Sequence, residues 1–509
     1  FFDEKRRDRD AIESYFKGVW SERLGGEAEK QQRLLAHLQR LFSHPLPTGR
    51  AANERVVATA RQQLRRIPVA QRLYGQLQRS ELGATRVDLY SEVGGDTGAL
   101  FGVQPGDQHF QMPYLYTKAG FKEVEFGADS PLLRQLSRER WIYGSNLEGE
   151  DFTEQDRDRL GQEVRSIYLA EYHQRWRNFL TGFSLKGFSS THEAFEVLSK
   201  LADPVYSPLL AISEIAADNT RLTPRPELPS DANGVSLPVS TTTRRLGGAV
   251  VSGAVDAISE QYQPTVVDVR FEELHRLTRS EKGRPARIQD YLGAITQVQE
   301  YLAEIDGGVD SNEGAFNKAK ARFSGASDAI KQLRIKAANA PAPFDGWLEQ
   351  VADSTWALVM AKAKAHVDRM WREQVYSAYR QGIAGRYPVQ ADSALEVPMM
   401  QFNEFFKPGG TEQQFIQQYL KPFVDTRNWK PRALEGRSLG LSGNALSQMR
   451  RAEMIRKTLF SQGDQAGYNF RIEPTKLDSG VRLFSLELGE QRVPYSHGPR
   501  TSRSLDWRG

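Results

Sequence analysis

Cysteine is absent from the 509 residues of this chain. The absence excludes disulfide bonds, thiol nucleophiles, and zinc or iron–sulfur sites built on cysteine. A long hydrophobic run is also missing. The most apolar segment, LGGAVVSGAV, is about half as long as the roughly 20 residues that a membrane span needs, and Asp256 ends it. We therefore expect no segment of this chain to cross a bilayer.

Neither sign of charge dominates the sequence. The 68 basic residues nearly balance the 64 acidic ones, the net charge is +4, and no long block of one sign occurs. The average charge therefore favours neither nucleic acid nor an anionic membrane as a partner.

Motifs for nucleotide and metal binding are absent as well. The chain has neither G-x-x-x-x-G-K-[ST] nor G-x-G-x-x-G, and its eight histidines form no H-E-x-x-H spacing. His173 lies beside Glu171 on a predicted helix and is interpreted as an ordinary hydrogen-bonded or surface histidine. We predict no catalytic residue, no cofactor, no metal site and no small-molecule substrate.

The chain begins with FFDEKRRDRD, without an initiating Met and without the pattern of a signal peptide. We expect it to be a piece of a longer chain, with any targeting or anchoring segment upstream.

Helical periodicity dominates to about residue 460. Thr153 and Asp156 predict a capping box, as do Ser190 and Glu193. After the second box Phe195, Leu198 and Leu201 are expected to point inward. An aromatic stripe at helical spacing is expected to be core: Tyr168, Tyr172, Trp176 and Phe179.

The length exceeds the size at which a single core stops growing, so several domains are expected. We predict a first helical domain over residues 1–222, with an ordered aromatic insertion at 84–150. A linker rich in Pro, Ser, Thr and Gly follows at 223–248. A second helical domain spans 249–465, and its longest helix runs from Phe344 to about Arg380. One face of that helix is expected to be apolar, with Phe344, Leu348, Val351, Val359 and Met370.

From Tyr468 the period changes to that of strands. We predict strands at Tyr468 to Ile472, Val481 to Leu488 and Gln491 to His497, with Gly489 and Glu490 closing a hairpin. The predicted fold is therefore mainly α: two or more helical bundles followed by an incomplete antiparallel β-sandwich domain at 466–509. So few strands leave exposed edges, which either more chain or a partner covers.

One catalytic pattern occurs, the G-x-S-x-G sequence GRSLG around Ser438. A nucleophile elbow needs a strand directly before it and a helix directly after it. RNWKPRALE precedes the motif and LSGN delays the next helix, which favours a Gly/Ser loop. A serine hydrolase that uses Ser438, with Asp464 or Asp478 and His497, remains an alternative.

The loop HRLTRSEKGRPAR, residues 275–287, offers phosphate-binding side chains at Arg276, Arg279, Lys282, Arg284 and Arg287. It lacks interleaved aromatic residues for base stacking, which favours a solvated loop. A nucleic-acid-binding protein that uses this loop is the other alternative, although we predict no nucleic-acid partner.

The segments MPYLYTKAGF, from Met112 to Phe121, and RERWIYG interrupt the helices. The sequence around Tyr114 and Tyr116 shows no candidate catalytic base, metal-binding pattern or phosphate-binding loop. Large rings with polar tips suit buried loops, so both segments are interpreted as structural insertions.

Several segments, in order and spacing, resemble the large periplasmic region of the IcmF/TssM family, the inner-membrane core subunit of bacterial type VI secretion systems. They are MPYLYTKAGF, RERWIYG, IYLAEYHQRWRNFL, SPLLAISEIAADNTRL, YRQGIAGRYPVQADSALEVPMMQFNEFFKPGG and YSHGPRTSRSLDWRG. Residues 225–340 carry no such signature.

The resemblance implies a scaffold rather than an enzyme. Such proteins are anchored in the inner membrane and cross the periplasm. They contact an outer-membrane lipoprotein, TssJ, and the inner-membrane subunit TssL, and they assemble as homo-oligomers around a trans-envelope channel. The lipoprotein is expected to contact the β region and the helix from Asn444 to Phe460. The resemblance names no individual contact residue.

Overall fold

The computed structural model describes residues 9–24, 27–44, 53–94, 96–103, 107–134, 153–224, 263–280 and 284–508. The apolar run LGGAVVSGAV, the RERWIYG segment and the predicted linker from residue 225 onward lie outside the described residues. The domain boundaries predicted at residues 222 and 248 therefore stay predictions.

The chain is mainly α-helical and ends in antiparallel β structure, which confirms the predicted fold class. The helices are α1 Arg9–Arg23, α2 Ala28–Phe42, α3 Glu54–Arg65, α4 Val69–Arg79, α5 Glu81–Ala84, α6 Tyr90–Val93, α7 Asp96–Phe101, α8 Lys118–Glu123, α9 Glu154–Thr181, α10 Thr191–Ala202, α11 Pro208–Thr220, α12 Val266–Arg270, α13 Glu272–Thr278, α14 Ile288–Asp306, α15 Ser311–Phe323, α16 Ala329–Ala337, α17 Phe344–Met370, α18 Ser377–Gly382, α19 Met399–Phe406, α20 Thr411–Phe415 and α21 Gly443–Leu459. The strands are β1 Arg86–Asp88, β2 Gln111–Pro113, β3 Val424–Asp425, β4 Lys430–Pro431, β5 Gly467–Ile472, β6 Phe484–Leu488, β7 Gln491–Tyr495 and β8 Arg503–Arg508.

The chain divides into two compact units. The first consists of Phe1–Ser80 and Val124–Tyr168, and the second of Glu81–Glu123 and Leu169–Gly509. In the first unit, α2 and α4 bury one apolar face each. The segment before α9 lies so close to that helix that a Cβ on Gly161 would stand 1.9 Å from the Phe126 carbonyl oxygen. The main-chain N–H of Ala128 also donates to Asp158 Oδ1 at 2.9 Å.

The capping box at the start of α9 is confirmed. The N–H of Asp156 donates to Thr153 Oγ1 at 3.2 Å, and the N–H of Thr153 donates to Asp156 Oδ2 at 3.1 Å. These bonds satisfy main-chain donors that the first helical turn leaves without a partner.

Aromatic side chains form the core of the second unit around the end of α9. The predicted core role of the α9 stripe is confirmed, because all four aromatic residues are buried. In the second unit, the Phe179 ring packs edge to face against Phe110 and Phe183. The indole N–H of Trp347, from α17, donates to the main-chain oxygen of Phe183 at 3.0 Å.

The MPYLYTKAGF segment is part of this core. Its β2 pairs antiparallel with β1, a 3₁₀ turn follows at Tyr114–Tyr116, and α8 closes it. Tyr116 is buried, and its main-chain oxygen accepts a hydrogen bond of 2.8 Å from the Trp176 indole. The burial of Tyr116 agrees with the interpretation of this segment as a structural insertion, which stays a prediction.

The prediction for α10 is partly wrong. Ser190 caps the helix through the N–H of Glu193 at 3.2 Å, but the Glu193 carboxylate accepts from the N–H of Ser189 at 2.8 Å, one residue earlier than expected. Leu198 and Leu201 are buried as predicted, whereas Phe195 is 46% exposed. Ala194, four residues before Leu198, takes the inward position instead.

The structure confirms the predicted long helix from Phe344 to about Arg380. The α17 helix continues through a π-helical stretch, Trp371–Tyr376, into α18. Four residues of the predicted apolar face are buried, Phe344, Leu348, Val351 and Val359, whereas Met370 is only partly buried. The helices α15 and α16 pack against α17.

The β region contains two two-stranded antiparallel sheets. β5 pairs with β8, with Phe470 opposite Leu505, and β6 pairs with β7, with Leu486 opposite Val493. Gly489, with a φ of 58°, lies in the two-residue loop that joins β6 to β7, which confirms the predicted hairpin.

Candidate partner-binding surface

Apolar side chains of the β region remain at the surface. Tyr468 is 47% exposed and Phe484 is 50% exposed, and Val481 and Leu483 next to β6 are exposed too. The rings of Tyr468 and Phe470 stack with their centroids 6.4 Å apart. Because alternate residues of a strand share a face, Tyr468, Phe470 and Ile472 present one partly exposed face of β5. Val481, Leu483 and Phe484 belong to β6, in the other two-stranded sheet, or to the residues just before it. We use the name β patch for the exposed or partly exposed apolar side chains of both places: Tyr468, Phe470, Ile472, Val481, Leu483 and Phe484.

The start of β5 is fastened to the helices by one amide side chain. The N–H of Ala466 donates to Asn403 Oδ1 at 3.0 Å, and Asn403 Nδ2 donates to Gln465 Oε1 at 3.0 Å. The Phe402 ring of α19 also stacks on Phe460, the residue that follows α21, with the centroids 6.1 Å apart. These contacts fix the entry of the β region relative to α19 and α21.

A buried ion pair joins α20 to α21. Glu412 is buried, one of its carboxylate oxygens accepts from Arg456 Nη2, and Arg456 Nε donates to the Phe406 carbonyl oxygen at 3.2 Å. The other oxygen, Oε1, has no hydrogen-bond partner among the described residues. Burial raises the pKa of Glu412 to about 7, although the Arg456 charge opposes the rise.

Ser438 lies in an irregular loop and not on a nucleophile elbow. Leu434 and Arg437 form an isolated bridge before it, and α21 begins only at Gly443. The His497 ring nitrogen Nε2 lies 2.8 Å from the carbonyl oxygen of Val481, so this nitrogen donates to the main chain of the β region.

The loop before Ser438 has a structural anchor instead. The indole of Trp356 donates to the Leu434 carbonyl oxygen at 3.0 Å. The buried guanidinium of Arg322 binds both carboxylate oxygens of Glu435 at 2.6 Å, and Asp328 at 2.9 Å. Glu435 has a φ of 51°, a conformation that these contacts hold in place.

The basic loop begins inside the fold. His275 is buried, its Nε2 lies 2.9 Å from Thr220 Oγ1, and burial lowers its pKa to about 4. Arg276 is bound by Glu272 at 3.1 Å and by Glu273 at 2.9 Å, carboxylates of its own helix. Arg279, Arg284 and Arg287 are exposed, and Lys282 lies outside the described residues.

His173 contacts a cation rather than a carboxylate. Arg270 Nη1 donates to His173 Nδ1 at 3.2 Å, and burial and the Arg270 charge lower the histidine pKa. Among the residues that the structure describes, no group of three or more His, Asp or Glu is placed to hold a metal ion. Within the same residues, no helix has both the length and the apolar character of a membrane span.

Sequence reasoning did not identify Asn403, Glu412 or Arg322. Each binds a residue more than 40 positions away in the chain: Ala466, Arg456 and Glu435, respectively. Arg322 also binds the nearby Asp328. Glu412 resembles an ordinary acidic residue in a first helical turn, which is where it lies. No local pattern distinguishes such residues.

Three family models match the chain in order. They are described as IcmF-related, intracellular multiplication and human macrophage-killing, over residues 1–221; type VI secretion protein IcmF helical domain, over 362–465; and type VI secretion protein IcmF C2-like domain, over 470–509.

A curated relative also matches nearly the whole chain. Type VI secretion system component TssM1 of Pseudomonas aeruginosa (strain PAO1) is 27% identical over 519 residues, which cover 98% of this chain and 46% of the relative. The chain thus spans about half the length of that protein.

Two solved structures share the fold. One, titled type VI secretion system membrane core complex, has a TM-score of 0.59 at 17% identity and covers 87% of this chain and 80% of its own. The other, titled type VI membrane complex, has a TM-score of 0.52 at 16% identity and covers 89% and 76%. The resemblance drawn from the sequence motifs is confirmed: this chain belongs to the IcmF/TssM family of type VI secretion proteins.

Proposed function

We propose that this chain is a scaffold in the membrane core complex of a type VI secretion system. It is the periplasmic region of a protein anchored in the inner membrane. It links that membrane to the outer-membrane lipoprotein TssJ, associates with the inner-membrane subunit TssL, and assembles with further copies of itself around a trans-envelope channel.

The order of the three family matches and the name of the curated relative support this proposal. The observation that carries it is the β patch, since a partly exposed apolar face beside unpaired strand edges is typical of a surface that a partner covers. In this proposal the helical domains at 1–222 and 249–465, joined by the linker at 223–248, form the scaffold, and residues 466–509 form the docking end.

The proposed scaffold acts without catalysis. The loop position of Ser438, and the engagement of His497 by the main chain of Val481, support this part. Esterase assays on the purified chain and on Ser438→Ala should give the same background rate. Activity that disappears with this substitution would contradict the scaffold proposal.

A truncation that ends at Gly463 tests the docking end. The shortened chain should keep its helical circular dichroism, because the helices bury their own apolar faces, and it should lose binding to purified TssJ. Binding as tight as that of the full chain would place the docking site in the helical domains.

A further inference from the structure

A cavity of about 400 Å³ lies between α14, α15 and the start of α16. It belongs to residues 222–361, a stretch that none of the three family models matches. Its lining combines alanine side chains with polar and charged ones, among them Gln297, Glu300, Tyr301, Glu304, Lys318 and Asp328.

The buried phenol of Tyr301 is the first sign of a ligand. Tyr301 is 6% exposed and lines the cavity, and its hydroxyl makes no well-formed hydrogen bond with any described residue. Burial, and after it the negative charge of Asp328 with a weak hydrogen bond toward its carboxylate, raises the pKa of the phenol. The hydroxyl therefore keeps its proton at neutral pH, and its lone pairs accept no hydrogen bond from a described residue. Native proteins rarely leave a buried hydroxyl without a partner, because the loss of hydration is then uncompensated.

Uncompensated negative charge at the cavity is the second sign. Glu300 and Glu304 lie one turn apart on α14 and are both exposed, an arrangement of like charges that destabilises a helix. Lys318 Nζ binds Glu304 at 2.5 Å, and within the described residues no cation lies within 4 Å of Glu300. Of the two cations in the lining, Arg322 is shared between Asp328 and Glu435, which lies outside the lining.

An internal contact shows the chemistry that this lining recognises. The ammonium of Lys318 stands 5.1 Å from the centre of the Tyr301 ring while it binds Glu304. A cation over an aromatic face and beside a carboxylate is a favourable arrangement. The Tyr301 hydroxyl and Glu300 remain for a second cation.

We propose that this cavity receives a basic side chain, arginine or lysine, from another polypeptide. The donors of the incoming group bond to the Glu300 carboxylate and to the lone pairs of the Tyr301 hydroxyl. The surplus of carboxylates in the lining would repel an anionic ligand. An apolar side chain in the cavity would leave the polar groups of the lining buried without hydrogen-bond partners. The inference does not depend on the docking of the β patch.

The test uses the full chain with tyrosines labelled with ¹³C at Cζ. The probe is acetyl-Gly-Arg-Gly-amide, and the matched control is the same peptide with neutral citrulline in place of arginine. The NMR signal of Tyr301, assigned by its loss in Tyr301→Phe, should shift saturably with the arginine peptide and stay in place with the citrulline peptide.

Charge variants locate the contact. Glu300→Gln should weaken the arginine peptide at least about tenfold, because it removes one charge-assisted hydrogen bond. Glu196→Gln, an exposed glutamate of α10 outside the cavity, should bind like the parent.

Several results would overturn the proposal. They are an unmoved Tyr301 signal at tens of millimolar peptide, equal shifts from the two peptides, and equal affinities for the two glutamine variants. Methylguanidinium that binds as tightly as the peptide would assign the cavity to a small free cation and overturn the polypeptide partner.

Discussion

Single tryptophan residues fasten distant segments of this chain to one another. The indole N–H groups of Trp176, Trp347 and Trp356 each donate to a main-chain carbonyl, of residues 60, 164 and 78 positions away. A buried indole needs a hydrogen-bond partner, and a main-chain oxygen from another segment supplies it. Each such bond sets the position of an irregular segment against a helix, which is how the loops around Tyr116, Phe183 and Leu434 become ordered.

Tyr116→Ala should destabilise the chain by about 3–5 kcal/mol, the usual cost of truncating a buried aromatic side chain. Thermal unfolding followed by circular dichroism measures the effect. Tyr206→Ala is the control, since Tyr206 is 84% exposed and its loss should change stability by less than about 0.5 kcal/mol. If Tyr116→Ala unfolded like the parent yet failed to assemble, the segment would be a binding surface. Trp141, the tryptophan of the RERWIYG segment, lies outside the described residues.

Glu412 should make stability fall as the pH rises from about 4.5 to about 7. Its pKa is raised from 4.5 to about 7 by burial, so in this window the folded chain holds a proton that the unfolded chain releases. The loss is on the order of 1–3 kcal/mol. Urea unfolding of the parent and of Glu412→Gln between pH 4.5 and 7.5 measures it.

The Glu412→Gln variant should be less stable overall, because Arg456 loses its carboxylate. It should nevertheless lose less stability than the parent across the window. A parent that gains stability relative to the variant as the pH rises would show that Arg456 lowers the pKa of Glu412 and that burial does not dominate.

At the scale of elements, close packing of backbone decides where segments meet. In α8 a Cβ on Gly120 would stand 2.0 Å from the Tyr114 carbonyl oxygen, so this helix can fold back onto its own 3₁₀ turn only with glycine at that position. The Gly161 contact in the first unit has the same character. These positions need glycine for space, since neither has a positive φ.

Gly120→Ala should destabilise the chain by about 1–3 kcal/mol or more, because the methyl group forces the turn away from α8. Gly293→Ala in α14 is the matched control. A Cβ there meets no atom within 4 Å, so better helix propensity should stabilise the chain by about 0.5–1 kcal/mol. Differential scanning calorimetry distinguishes the two variants. Equal melting temperatures would contradict the close approach at Gly120.

Periodicity predicted the elements whose burial follows from one repeating pattern. The stripe on α9, the apolar face of α17 and the hairpin at Gly489 are examples. Phe195 was misplaced because several apolar residues of α10 compete for one face, and spacing alone does not show that Ala194 is buried with Leu198. The ion pair of Glu412 with Arg456 and the cavity at Tyr301 depend on segments brought together by tertiary packing, which a local pattern does not carry.

At the scale of the whole molecule, the helical parts hide their large apolar residues more completely than the β region does. Single exposed apolar residues occur in the helical parts too, such as Tyr206 and Met400, but Trp176, Trp347 and Trp356 are fully buried there. From Gly467 onward, only Val493 and Leu505 are buried among the described residues. Asn403 fixes the residues directly before β5, Gln465 and Ala466, to the helices. An exposed apolar surface is what the proposed docking of a partner requires.

The affinity of purified TssJ for the full chain tests the proposed docking role of the β patch most directly. Surface plasmon resonance compares the parent with the double variant Tyr468→Ser/Phe484→Ser and with Met400→Ser, an exposed apolar residue of α19 that is 74% exposed. The double variant should bind at least about tenfold more weakly at unchanged circular dichroism, since buried aromatic residues dominate interface energies, and Met400→Ser should bind like the parent. TssJ that binds the double variant as tightly as the parent would contradict the account.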